Sequence, residues 1–111
     1  MDRDHLGEFE YVVILGLLRL CEDAYGVTVR QEIEARTGRE VSIGAVYATL
    51  DRLEAKGYVK SRLDEPTPER GGRSKRFFRV TPKGILAVNR THSALLPWSM
   101  DSTSSGASHD K

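Results

Sequence analysis

The sequence predicts a mainly α (α+β) fold in which a tight helix-turn-helix is followed by a basic two-stranded hairpin and a closing helix. Three observations predict it. Three consecutive segments read as helices, residues 8–22 by their length and nearly all-round apolar sequence, and 27–37 and 43–56 by apolar residues at helical spacing. The period then becomes the two-residue alternation of strands on either side of DEPTPERGG, residues 64–72, whose prolines and glycines resist helix. Residues 70–83 carry six basic side chains and no acidic one, while the rest of the chain has 11 basic and 16 acidic residues. A formal net charge of +1 therefore conceals a basic patch on an acidic body, which suits a polyanion held by one surface.

The first helix is expected from Glu8 to Glu22. Between Tyr11 and Cys21 only Gly16 and Arg19 interrupt its apolar sequence. A helix buried on one face shows a stripe, so this one calls for cover on a second side, from its own domain or from another subunit. Asp23-Ala24-Tyr25-Gly26 then breaks the chain, and Val29 and Ile33, at i and i+4, mark a short helix over Val27–Thr37 that Gly38 stops. Ser42 is a good N-cap for a third helix, Ile43–Lys56, which ends at Gly57. At 100° per residue, Ile43, Val46, Tyr47, Leu50 and Leu53 fall within an arc of about 120°, an ordinary core stripe. The opposite face presents Gly44, Ala45, Ala48, Thr49, Arg52 and Lys56. Small residues near the start of a helix permit close approach to a DNA groove, and long cations further along reach phosphates. A plain amphipathic surface helix has the same profile.

Tyr58–Leu63 and Ser74–Val80 are the expected strands, with Val59 and Leu63 on one face of the first and Phe78 and Val80 on one face of the second. Thr81-Pro82 has the form of an N-cap followed by an N1 proline. It starts a last helix running to about Leu96, before Pro97, with Ile85, Val88, His92 and Leu95 forming one apolar stripe. From Asp101 onward Ala107 is the one apolar residue, so that end is expected to be disordered. The expected organisation is an N-terminal extension over 1–7, the helix-turn-helix and hairpin over 8–81, a closing helix over 82–98 and a disordered tail over 99–111.

A chain of 111 residues has room for one domain, small enough for an element to complete its burial against a partner subunit. Cys21, the single cysteine, cannot form an intrachain disulfide or a thiolate metal site and is expected to be a small buried hydrophobe. The acidic, polar N-terminus does not read as a secretory signal, and the longest apolar run, Tyr11 to Leu18, falls short of the roughly 20 residues that span a bilayer. A soluble, cytoplasmic protein that is not an enzyme, with no metal and no cofactor, is the expectation. The chain has no Gly-rich phosphate loop, GxSxG or HExxH, and His5, His92 and His109 are not clustered near a nucleophile. His92, on the apolar stripe, reads as an interface residue.

The order of elements describes a winged helix-turn-helix, the hairpin being the wing. Over about residues 7 to 98 the chain resembles the PadR-like transcriptional regulators, through Tyr25-Gly26, GAVYATLDRLEAKGYV at 44–59 and GGRSKRFFRVTPKG at 71–84. The resemblance implies a dimeric repressor of double-stranded DNA bound at a pseudo-palindromic operator, with Ser42 to Lys56 as the recognition helix. DNA contacts would come from Ser42, Gly44, Ala45, Tyr47, Ala48, Thr49, Arg52 and Lys56, and from Arg70, Arg73, Lys75 and Arg76 on the wing. It also makes the closing helix a C-terminal dimerisation helix, which with the first helix would build the interface through Val13, Leu17, Ile85, Val88, His92, Leu95 and Leu96. Some relatives release DNA on binding a small aromatic or hydrophobic effector stacked on a tryptophan, and Trp98 lies near that place. With a last helix of about 15 residues, roughly 22 Å, shorter than the arm of many relatives, a weaker dimer is expected. Two other readings compete: a winged-helix protein–protein adaptor, which would not need an acid-free wing, and a MarR-like regulator, which the 44–57 segment and the chain length fit less well.

Overall fold

A computed structural model of the chain describes residues 6–64 and 75–107, with side chains as far as Leu95. The elements in order are α1 (Glu8–Leu20), a 3-10 turn (Cys21–Asp23), α2 (Gly26–Thr37), α3 (Ile43–Ala55), β1 (Val59–Leu63), β2 (Arg76–Val80) and α4 (Pro82–Ala107). Each helix start has a local cause. The Gly7 amide donates to Glu10 Oε1 (2.9 Å) ahead of α1, and the Tyr25 amide donates to Thr28 Oγ1 (3.0 Å) ahead of α2. Ser42 Oγ accepts from the Ala45 amide (3.0 Å) and Thr81 Oγ1 from the Gly84 amide (3.1 Å), the side-chain caps that α3 and α4 were expected to have. Helix α2 stops where Gly38 turns left-handed at φ 72°.

The core lies where α1 crosses the other elements. Val13, Ile14 and Leu17 of α1 meet Val29 and Ile33 of α2, Val46, Leu50 and Leu53 of α3, and Val59, Phe78, Ala87 and Val88, all buried. This explains much of the apolar excess of α1, which is in contact with α2, α3, β2 and α4 of its own chain. What remains outside is Leu15 and Leu18, each 38% exposed. The N-terminal segment joins the core as well: Leu6 is buried, and its amide donates to the buried Thr91 Oγ1 of α4 (3.0 Å).

Strands β1 and β2 pair antiparallel from Val59 opposite Val80 to Leu63 opposite Arg76. An isolated bridge between Tyr25 and Phe77 lays the chain before α2 along β2, with the Phe78 amide donating to the Ala24 carbonyl (2.9 Å). The wing is thereby tied to the helix-turn-helix along β2. Burial falls off along β1, from a buried Val59 to Leu63 at 69% exposed, because the hairpin leaves the body as it runs outward.

Two expectations are corrected. Cys21 is exposed, not a buried hydrophobe. Helix α1 ends at Leu20, and Cys21 takes a positive φ of 56°, which L-residues seldom adopt, so its side chain leaves the apolar face of the helix and Sγ donates to the Leu18 carbonyl (3.4 Å). Helix α4 continues through Pro97 to Ala107, where the sequence suggested an end near Leu96 and a disordered tail. Proline forfeits one backbone hydrogen bond, and the Ser and Thr residues that follow are unremarkable helix formers that do not stop it. At 26 residues α4 is about 39 Å long, nearly twice the expected arm. Among the described residues no helix is long and apolar enough to cross a membrane.

Candidate nucleic-acid interface

Helix α3 is held by its buried side and leaves one face open. Val46, Leu50 and Leu53 are fully buried, Ile43 and Tyr47 half-buried, and Ser42, Gly44, Ala45, Ala48, Arg52 and Lys56 exposed. The open face is a floor of small residues toward the N-terminal end with two cations toward the C-terminal end. Thr49 is corrected: only 2% exposed, it has no surface to offer DNA. On the helical wheel it lies about 40° outside the expected apolar arc, and Arg52, which is paired with Glu10 of α1, donates to Thr49 Oγ1 (3.2 Å).

Tyr47 sits at the other edge, against Gly26. A Cβ at Gly26 would collide with the Tyr47 ring, so the Tyr25-Gly26 pair supplies both the strand-like approach to α2 and the space for an aromatic ring of α3.

The two cations of α3 are engaged. Glu10 of α1, 7% exposed, accepts from Lys56 Nζ (3.0 and 3.3 Å) and from Arg52 Nε (3.4 Å) as well as from the Gly7 amide. Burial by itself would raise the Glu10 pKa, but the Gly7 amide, Lys56 and Arg52 outweigh it and hold the carboxyl below its ordinary value. A depressed pKa stabilises the fold fully above the ordinary glutamate range, and this contribution is lost as pH falls through the lowered value. Glu10→Gln is expected to cost about 1 kcal/mol near pH 7, modest because Arg52 and Lys56 are 55% and 41% exposed and resolvate readily. It should also flatten the acid limb of a plot of melting temperature against pH. The same variant releases two cations on the open face and should raise affinity for random DNA several-fold, read by fluorescence anisotropy.

The wing shows the same economy of charge. Arg76 spans from β2 to α3, donating to Asp51 Oδ1 (3.1 Å) and Glu54 Oε1 (2.6 Å), with its guanidinium 4.8 Å from the Phe78 ring centre. Glu54 also accepts from the Ser61 hydroxyl (2.8 Å) and amide (3.2 Å). The Ser61 hydroxyl is the main cause of a lowered Glu54 pKa; burial opposes it, and Arg76 and the Ser61 amide add to the lowering. Lys75 donates to Tyr25 Oη (3.2 Å) and lies 4.3 Å from its ring centre. Lys75 and Arg76 therefore tie the outer end of the paired strands back to the chain before α2 and to α3, while Arg70 and Arg73 lie outside the described residues. The sequence reading counted Arg79 in the basic segment but assigned a DNA contact neither to it nor to Lys60; the two face each other across the strands with no acidic partner among the described residues. Their alternation with Val59, Ser61, Phe78 and Val80 is the signal that could have found them.

The expected dimer residues divide. Val13, Leu17 and Val88 are corrected, because the chain's own core buries them. Ile85 (38%) and Leu95 (51%) are exposed, as are Leu86 (55%) and, on α1, Leu15 and Leu18. His92 is exposed and shares a hydrogen bond with the Tyr11 hydroxyl (3.3 Å to Nδ1), linking α1 to α4 within one chain. The side chains of Leu96 and Trp98 lie outside the described residues.

A helix-turn-helix with an open, small-residue face on its second helix, braced against a basic hairpin, defines the winged-helix class of DNA-binding transcription regulators. The chain belongs to the transcriptional regulator PadR-like family, whose sequence model matches residues 14–90. It is similar to the transcriptional regulator Rv3488 of Mycobacterium tuberculosis, at 37% identity over 73 residues, 66% of this chain and 64% of that protein's length. Its fold is similar to a PadR-like transcriptional regulator of Bacillus cereus, BC4206 (TM-score 0.66, 19% identity, 88% of this chain and 87% of that one). It is also similar to a MarR mutant from E. coli solved in complex with operator DNA (TM-score 0.59, 20% identity, 81% of this chain and 56% of that one).

Proposed function

We propose that this chain is a cytoplasmic repressor that binds a pseudo-palindromic operator as a homodimer, each subunit placing α3 in a major groove and its wing along the flanking backbone. The observation that carries the reading is the open face of α3. Gly44, Ala45 and Ala48 are exposed while the buried side of the helix is anchored by Val46, Leu50 and Leu53, which is how a helix is presented rigidly to a groove. In support, the MarR relative of similar fold was solved on operator DNA. The exposed leucines and isoleucine of α1 and α4 support the dimer. Release by a small hydrophobic effector at the dimer axis, near Trp98, belongs to the same reading.

Selection of bound DNA from a random pool at about 150 mM salt, with sizing of the complex, tests it. The expected result is a palindromic consensus bound by two chains, with half-sites about one helical turn apart or a multiple of that. Recovery of no enriched sequence by folded protein would favour the adaptor. Operator affinity is expected to fall by at least an order of magnitude between roughly 50 and 200 mM salt, as it does when several phosphates are neutralised. Glu10→Gln should steepen that dependence, since Arg52 and Lys56 then have no carboxylate to leave.

A further inference from the structure

The paired strands have two unlike faces, because successive side chains of a strand point to opposite sides. Ser61 and Arg76 mark the inner face, since both reach Glu54 of α3. Lys60 and Arg62 of β1 and Phe77 and Arg79 of β2 stand on the other, turned away from α3. There the 3-10 turn after α1 walls a hollow of about 520 Å³, whose lining includes Cys21 and Glu22 beside those four residues. Its charges are unbalanced. Arg62 is shared between Asp64 (3.8 Å) and the Phe77 ring, 4.9 Å from its centre. Lys60 and Arg79, both exposed and directly opposite each other, have no ion pair among the described residues, and Glu22 pairs with neither. Like charges directly opposite on antiparallel strands weaken the pairing. The chain bears that cost in the wall of a hollow, where an external anion would relieve it.

We propose that this hollow binds a polyphosphate group, with Lys60 and Arg79 donating to its oxygens from the two strands and Arg62 beside them. A polyphosphate carries several charges within the span of two neighbouring strand residues and so answers both cations at once, with charge-assisted hydrogen bonds to each. A single carboxylate answers only one. An acidic peptide, whose like-facing side chains recur at every second residue, needs a groove that runs through, whereas the 3-10 turn walls this one. The volume is in the range of small-molecule sites, roughly 300–1,000 Å³, and leaves room beyond the phosphates for a nucleoside, whose base would stack on the Arg62 and Phe77 pair. The chemistry is the same whether the polyphosphate is free or borne by a nucleoside. It is also independent of the operator reading, because binding is read with no DNA present.

Cys21 is the single cysteine, is exposed and belongs to the lining, so its reactivity reports occupancy. The test follows alkylation of the full chain by iodoacetamide, a neutral reagent, in the presence of sodium triphosphate, ATP or adenosine without divalent cations, with sodium chloride at matched ionic strength as the control. Triphosphate and ATP are expected to slow alkylation severalfold and saturably, half-maximally below about 1 mM, while adenosine and chloride leave it unchanged. Tighter protection by ATP than by triphosphate would assign the site to a nucleotide, and equal protection to free polyphosphate. Lys60→Gln and Arg79→Gln should each raise the half-protecting concentration roughly fivefold. Lys60→Glu is the sharper probe. Its carboxylate faces Arg79 across the strands, so the ligand-free variant should melt about 2 °C higher than the parent while protection is lost. No saturable protection, protection by chloride or adenosine alone, unchanged protection in Lys60→Glu, or a Lys60→Glu melt no higher than that of the parent would overturn the proposal. Displacement of triphosphate by random duplex DNA at equal phosphate concentration would overturn it too, because the outer face of the strands would then be a DNA contact.

Discussion

Ala48→Glu is expected to abolish operator binding while leaving the fold intact. Ala48 is exposed on the open face of α3, one turn before Arg52. Glutamate is a good helix former there and costs a few tenths of a kcal/mol at most, and at i, i+4 it can pair with Arg52. In a major groove the same carboxylate would lose its water, face the acceptor-rich edges of the bases between two rows of phosphates, and draw Arg52 inward. The expected penalty is on the order of 3 kcal/mol or more, at least a hundredfold in affinity. Anisotropy with the selected operator, beside a thermal melt, reads both quantities. Ala48→Gln keeps the length without the charge and should lose far less. If Ala48→Glu bound the operator as the parent does, α3 would not be the helix in the groove.

Gly84→Ala is expected to be the most damaging single methyl in the chain. The first turn of α4 lies directly on the turn between α3 and β1, and a Cβ at Gly84 would overlap the Tyr58 carbonyl oxygen and stand 2.8 Å from Val80 Cγ1. The obstacle is backbone that cannot rotate aside: the same carbonyl accepts the Thr81 amide (3.0 Å), and Thr81 Oγ1 in turn donates to the Gly57 carbonyl (2.7 Å). Helix α4 would have to lift off or those bonds would have to open. Overpacking of this kind costs about 3 kcal/mol, against roughly 1 kcal/mol gained from replacing glycine in a helix, a net loss of about 2 kcal/mol. For a domain of this size the melting temperature should fall by about 10 °C. Gly44→Ala is the control: its Cβ would meet only Ser42 Oγ, at 4.0 Å, so it should raise the melting temperature slightly. Equal behaviour of the two variants would mean that the α4 contact yields more easily than its geometry indicates.

Each of these effects was legible in the sequence to a different depth. Ala48 could be placed on the outer face of a helix by counting 100° per residue from Leu50, because the helical period is a property of the backbone alone. Gly84 could not be singled out from ten glycines, since nothing local distinguishes a glycine under a carbonyl from one in open solvent. Ser42 and Thr81 announced their helices because a cap acts over three residues. Glu10 did not announce Arg52 and Lys56, which lie 42 and 46 residues away. The basic segment was visible as composition, yet composition could not say that Arg76 turns inward to Asp51 and Glu54 while Lys60 and Arg79 face each other.

The sequence by itself determined the helix-turn-helix, the hairpin, their order, and the inner and outer faces of α3, because periodicity, caps and turn residues act within one or two turns of chain. Only the tertiary structure decided which apolar residues of α1 serve the chain's own core, which cations stay available for phosphate, and where α4 must approach a bare backbone. Those outcomes depend on which distant segments meet, and for a buried side chain or a paired charge the partner, rather than the neighbour in sequence, sets its energy.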